Sequence, residues 1–186
     1  MISQEQKKFL ENMFFAASWS AASGHNRVWG GEYRGKGNPI AHKRAEFRSR
    51  LQDKAESLLD QYKDKTPSEE QHIANIQALK TFSKEKGNEL NIGTVQKLLN
   101  MLCKYYWCVG WIQEPPHLPI DSIMRKRLPP EILMHTTKWT HLDSIDEYKV
   151  MIAAFKEKSK AEGFNSLAQW ELKTWNAVSK TVTENL

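Results

Sequence analysis

The chain has 186 residues, of which 40% are hydrophobic and 26% charged, with a formal charge of +5 and a pI of about 9.1. That suits one domain with a core, and the basic balance is compatible with a nucleic-acid partner without requiring one. The polar residues 2–8 and the short apolar run 13–17 argue against a secretory leader or a membrane span, and two cysteines rule out a disulfide framework.

Residues 3–22 carry a helix signature. Ser3 can cap the first turn with Gln6 three places on, and Leu10, Phe14, Ala17 and Ala21 fall on one face that Phe9 and Met13 broaden. Residues 23–44 break the period. Glycines recur, Arg27, Arg34, Lys36, Lys43 and Arg44 are offset by Glu32, and Trp29 and Tyr33 sit among them. Bare backbone and cations can meet DNA phosphates, with Arg34 and Lys36 as contacts and Trp29 against a base; a solvated loop with two aromatic anchors has the same composition.

Helical spacing resumes over residues 40–64 through Phe47, Leu51, Leu58, Leu59 and Tyr62. Thr66-Pro67-Ser68 separates it from a helix on Ile73, Ile76, Leu79 and Phe82, which Gly87-Asn88 stops. After the centre of the chain come a short helix at residues 131–137, a longer one over about 144–161, and a last one with Leu167, Trp170, Leu172 and Trp175. No strand, repeat or low-complexity tract is legible, and the class is all-α. Cys103 and Cys108 share one helix without facing each other squarely, and with scattered histidines they do not converge as a metal site; no metal and no cofactor is expected.

The centre, residues 89–128, is the least ordinary stretch. Asn91, Ile92 and Gly93 make a tight turn into an apolar helix that carries Thr94, Gln96 and Lys97. An aromatic end with Tyr105, Tyr106, Trp107 and Trp111 follows, then the proline-rich loop with His117, then Asp121 opening a basic segment with Arg125, Lys126 and Arg127. Helix, short glycine turn, helix can present unpaired turn amides and a positive helix end to a phosphate, although any helical hairpin has that pattern.

Gly93-Thr94-Val95-Gln96-Lys97-Leu98-Leu99-Asn100, followed by Leu118-Pro119-Ile120-Asp121, resembles the helix-hairpin-helix DNA glycosylase superfamily, with a Gln-Lys pair similar to its archaeal 8-oxoguanine branch. The resemblance implies two small helical lobes around a cleft, with residues 72–108 as the hairpin and 109–128 as the catalytic loop and helix. It implies Lys97 and Asp121 as catalytic residues, and Asn91, Gly93, Thr94, Gln96 and Arg125 beside Arg34 and Lys36 as contacts to double-stranded DNA carrying a modified base. Val95 stands where the family usually has a second glycine, the loop from Lys97 to Asp121 is longer than usual, and no cysteine cluster for an iron–sulfur centre follows.

Such an enzyme flips a nucleotide out and cleaves its N-glycosidic bond; a carboxylate stabilises the sugar cation and a neutral lysine amine can attack it. Trp29, Trp107, Trp111 and His117 are candidates for the base pocket. Asp121 is equally placed to be an N-cap, Lys97 to be a solvated helix lysine, and the aromatics to be core. The QKLLN…PPHLPID run also resembles bacterial anti-phage glycosylases, which implies excision of α-glucosyl-hydroxymethylcytosine in a bacterial cytoplasm, with no membrane and no obligate protein partner. An 8-oxoguanine-type repair glycosylase with lyase activity and a non-catalytic helical DNA-binding module are the alternatives. A HEPN-like ribonuclease is weakened because no Arg–His pair has the required spacing.

Overall fold

The computed structural model describes residues 2–24 and 28–183, with side chains as far as Ala177; Arg27 of the basic loop lies outside the described residues. Among the described residues the protein is all-helical: α1 (Gln4–Ser23), α2 (Asn38–Leu59), α3 (Glu69–Glu85), α4 (Ile92–Cys108), α5 (Ser122–Arg125), α6 (Pro130–His135), α7 (Ile145–Ala161) and α8 (Leu167–Thr183). Short 3-10 turns lie at Gly31–Tyr33, Asp60–Tyr62 and Trp139–His141. None of these helices is long and apolar enough to cross a membrane.

The helix starts follow local chemistry. Ser3 and Gln6 form a reciprocal capping box on α1, Ser68 caps α3 through the Gln71 amide, and Ser144 caps α7 through the Glu147 amide. Gly87, at φ +79°, ends α3 with the Asn88 amide returned to the Ser83 carbonyl, the six-to-one bond of a Schellman turn.

Helix α4 is the axis of the core. Ile92, Val95, Leu98, Leu99, Leu102, Cys103 and Tyr106 are buried in a cluster that runs from Phe15 and Trp19 through Phe47, Ile76 and Leu79 to Tyr148, Phe155 and Trp170. The buried face of α1 is Phe15, Ser18, Trp19 and Ala22, one position on from the expected stripe. Ala17 is exposed, as are Phe9 and Met13. The rotation follows from aromatic partners elsewhere in the chain: Trp19 packs on Trp29 and Phe47, while Phe14 stacks on Tyr105.

The glycine-rich basic loop turns inward. Trp29 packs against Tyr33 and Phe47, and the Arg44 guanidinium lies over its ring while donating to the carbonyls of Tyr33 and Gly35. Tyr33 donates its hydroxyl to the Lys86 carbonyl, and Lys43 pairs with Glu32.

Candidate active site

Lys97 and Asp121 meet. The Lys97 ammonium is 3.8 Å from Oδ2 of Asp121, and only 9% and 16% of the two side chains remain exposed. Asp121 divides its carboxylate between two tasks. Oδ1 accepts from the backbone N–H groups of Ile123 and Met124 as the N-cap of α5, which leaves Oδ2 for Lys97. On the other side the Lys97 ammonium lies 4.3 Å from the ring centroid of Trp139. Burial holds the lysine pKa below its ordinary value, and the Asp121 carboxylate pulls it partly back.

The segment that delivers Asp121 is gripped by two amides of α4. Gln96 accepts from the Ile120 N–H at 3.0 Å and donates to the Ile120 carbonyl at 2.8 Å and to the Gly93 carbonyl. Asn100 donates to the Leu118 carbonyl at 2.9 Å. Gln96 is therefore an internal clamp with no exposed surface for DNA, which corrects its reading as a DNA contact.

The hairpin turn is likewise occupied from within. The first four amides of α4 all have partners: Ile92 N–H in the Asp143 carboxylate, Gly93 N–H in the Leu142 carbonyl, Thr94 N–H in the Asn91 side chain, and Val95 N–H in the Asn91 carbonyl. Asn91 spends its amide on the Thr140 carbonyl, and Asp143 also pairs with Lys80. Gly93 is needed for packing: a Cβ there would sit 1.7 Å from the Trp139 carbonyl oxygen. The turn that the sequence offered to a phosphate is thus closed by residues 139–143, which Asn91 and Gly93 hold, while the Thr94 amide is taken by Asn91.

The other expected contacts scatter. Arg125 donates to the carbonyls of Leu133, Thr136 and Thr137 and closes the end of α6, an inward role in place of the expected phosphate contact. Trp29, Arg34, Asn91 and Thr94 line one cavity of about 470 Å³ with His141. Lys36 is exposed. Trp111 packs with Phe14 and Tyr106, and Trp107 lines a different hollow with Phe164 and Leu172. His117 is buried against Tyr148 and His72. The four residues expected to wall a base pocket therefore face four surroundings and form no common pocket.

A second charged pair was not foreseen. Lys104, two helical turns beyond Lys97, donates to Glu171 of α8 at 3.0 Å and lies 2.8 Å from its other oxygen, with both side chains nearly buried. Burial pushes the Glu171 carboxyl up, Lys104 lowers it, and nearby Asp121 adds a smaller upward push, so the two carboxylates share one electrostatic neighbourhood. Trp175, 39% exposed, faces the Lys104 ammonium at 5.2 Å. Met101, one turn after Lys97, is half-buried. The spacing of Lys97, Met101 and Lys104, and of Glu171 and Trp175, was visible as same-face helical spacing, but nothing local said that α8 would lie beside α4.

No family model, no curated protein and no solved structure matches the chain.

Proposed function

We propose that this protein is a DNA glycosylase of the helix-hairpin-helix kind that acts with Lys97 and Asp121 on a nucleotide flipped out of double-stranded DNA. The observation that carries the reading is the pairing of a desolvated lysine with a carboxylate whose second oxygen is pinned by two backbone amides. Lowered basicity raises the share of neutral amine at a given pH, and a fixed carboxylate beside it can accept a proton and stabilise a sugar cation.

In the proposed reaction the Lys97 lone pair forms a bond to C1′ while the bond from C1′ to the base breaks. The electron pair leaves with the base, which takes a proton from water. Asp121 accepts a proton from the nitrogen. Ring opening at O4′, with protonation of that oxygen and loss of the remaining N–H proton, leaves an imine.

In this reading the base lies along the stripe of α4 beyond Lys97. Met101 and the Trp175 indole offer apolar faces, and the Lys104–Glu171 pair offers a donor and an acceptor to a base edge. These residues take the role first assigned to Trp29, Trp107, Trp111 and His117. A charged, two-sided edge suits a base that bears hydroxyls, which supports α-glucosyl-hydroxymethylcytosine of phage DNA, excised in bacterial anti-phage defence. An 8-oxoguanine-type base is the competing substrate within the same reaction.

Borohydride reduction during turnover tests the amine step. It should trap the wild-type chain on DNA and leave Lys97→Gln untrapped. Base release without any trapping would assign the attack to water, with Lys97 as a counter-ion. A non-catalytic helical DNA-binding module is the second reading, favoured by the structural work Asp121 already does as a helix cap. That reading expects Asp121→Asn to bind DNA and behave as the wild type in every assay.

A further inference from the structure

Beside the charged pair, on the neighbouring face of α4, lies a buried polar chain anchored at the Leu118 carbonyl. Asn100 must point its amide nitrogen at the Leu118 carbonyl, which can only accept, so its oxygen accepts from the Nε2–H of His72 at 2.8 Å. Nδ1 of that neutral ring then accepts from the Tyr62 hydroxyl at 2.7 Å, and Tyr62 accepts from the Asn75 amide. The Asn100 nitrogen also donates to the Tyr148 hydroxyl. Tyr148, accepting there, passes its own hydrogen to Nδ1 of His117 at 2.9 Å. A flipped Asn100 amide would set its oxygen against the Leu118 carbonyl, which can only accept. Gln96 is held in the same sense by the Gly93 and Ile120 carbonyls, and its oxygen takes the Ile120 N–H.

We infer that Gln96 and Asn100 are positioning residues, whose side-chain amides hold Leu118 and Ile120 at a set height on α4 and so aim the free carboxylate oxygen of Asp121 at the Lys97 amine. The loop from α4 to Asp121 crosses two prolines at Pro115-Pro116 and a third at Pro119, none of which can donate a backbone hydrogen bond. The backbone hydrogen bonds that register this segment against α4 are therefore few, and the two amides supply them. The catalytic meaning of this rests on the glycosylase reading above; the alignment of the ion pair does not.

The test separates the two. In labelled protein the Lys97 side-chain carbon shift is followed against pH for the wild type, Asp121→Asn, Gln96→Met and Asn100→Ala. Asp121→Asn should move the Lys97 titration down, because the attraction that partly restores its basicity is gone. Gln96→Met, which keeps the volume and loses the bonds, should reproduce that downward move, and Asn100→Ala should do so as well. A Lys97 titration unchanged in a folded Gln96→Met or Asn100→Ala would overturn the inference, whatever happens to the melting temperature. Should neither variant fold, amide exchange at Ile120 in the wild type decides. Exchange as slow as that of α4 amides supports the clamp, and exchange as fast as that of an exposed loop overturns it. With base release measured alongside, the folded variants should lose about 100-fold in single-turnover rate at unchanged DNA affinity. A shifted Lys97 titration in a protein that releases no base under any condition would leave the clamp standing and remove the glycosylase reading.

Discussion

Two neighbouring faces of α4 carry different kinds of polar group. One holds paired charges, Lys97 with Asp121 and Lys104 with Glu171. The other holds Tyr62, His72, Asn100, Tyr148 and His117, buried and neutral, each bonded to the next. Burial holds His72 down at about 4 and His117 well below its ordinary value, so neither imidazole is charged near neutrality. Neutral groups can be held in a core at little cost where donors meet acceptors, and here His117 Nε2 is a buried nitrogen without a hydrogen-bond partner. The difference separates a locked neutral scaffold from a face that holds paired charge.

The largest effect expected on the charged side is chemical. Asp121→Asn should cut base release by about 1,000-fold while the melting temperature barely moves, since asparagine caps α5 as well as aspartate does. A large loss of stability in that variant would show that the pair is structural first.

The next effect belongs to the strap that supports Trp139 beneath Lys97. Gly93→Ala drives a methyl group into the Trp139 carbonyl and should cost about 3 kcal/mol in urea denaturation. A neutral result would mean that residues 139–143 can lift away from α4.

Acid should attack the neutral side. The unfolded chain takes up a proton at His72 below pH 6.5, and the folded chain resists until about pH 4. Between those values the unfolded state binds more protons, so stability present above pH 6.5 is lost as pH falls, by about 3 kcal/mol from this residue once pH 4 is passed. His117 acts in the same direction. The groups around it are Tyr148, His72, Glu69 at 3.8 Å and Lys156, which pairs with Glu69. His72→Gln should flatten the acid limb of a stability profile measured by denaturant titration at stepped pH.

The smallest effect is on the surface. Lys36→Ala should leave stability unchanged and weaken DNA binding only slightly, with a shallower salt dependence in a fluorescence-anisotropy titration.

The parts of this arrangement that are local were legible in the sequence. Ser3 with Gln6, Ser68 before two glutamates, and Gly87 after α3 each act within one turn, and each stands where the sequence put it. The basic helix expected after Asp121 is a single turn, because Pro129-Pro130 follows at once and the Arg125 side chain folds back on α6. What joins distant segments was hidden. The face of α1 was misjudged by one position because Trp29 and Phe47, far along the chain, decide where Trp19 points. Glu171 and Trp175 looked like an ordinary stretch of a last helix until α8 lay against Lys104. The opening amides of α4 seemed free for a phosphate because nothing near Gly93 announces that Asp143 and Leu142 return to them.

The most direct measurement is mass spectrometry of the bases released from glucosyl-hydroxymethylcytosine phage DNA, unmodified DNA and 8-oxoguanine DNA by the wild type and Asp121→Asn. The account predicts release of the glucosylated base by the wild type, none from unmodified DNA, and almost none by Asp121→Asn with DNA binding retained. Equal release by the two proteins, or no base from any of the three substrates, would contradict it.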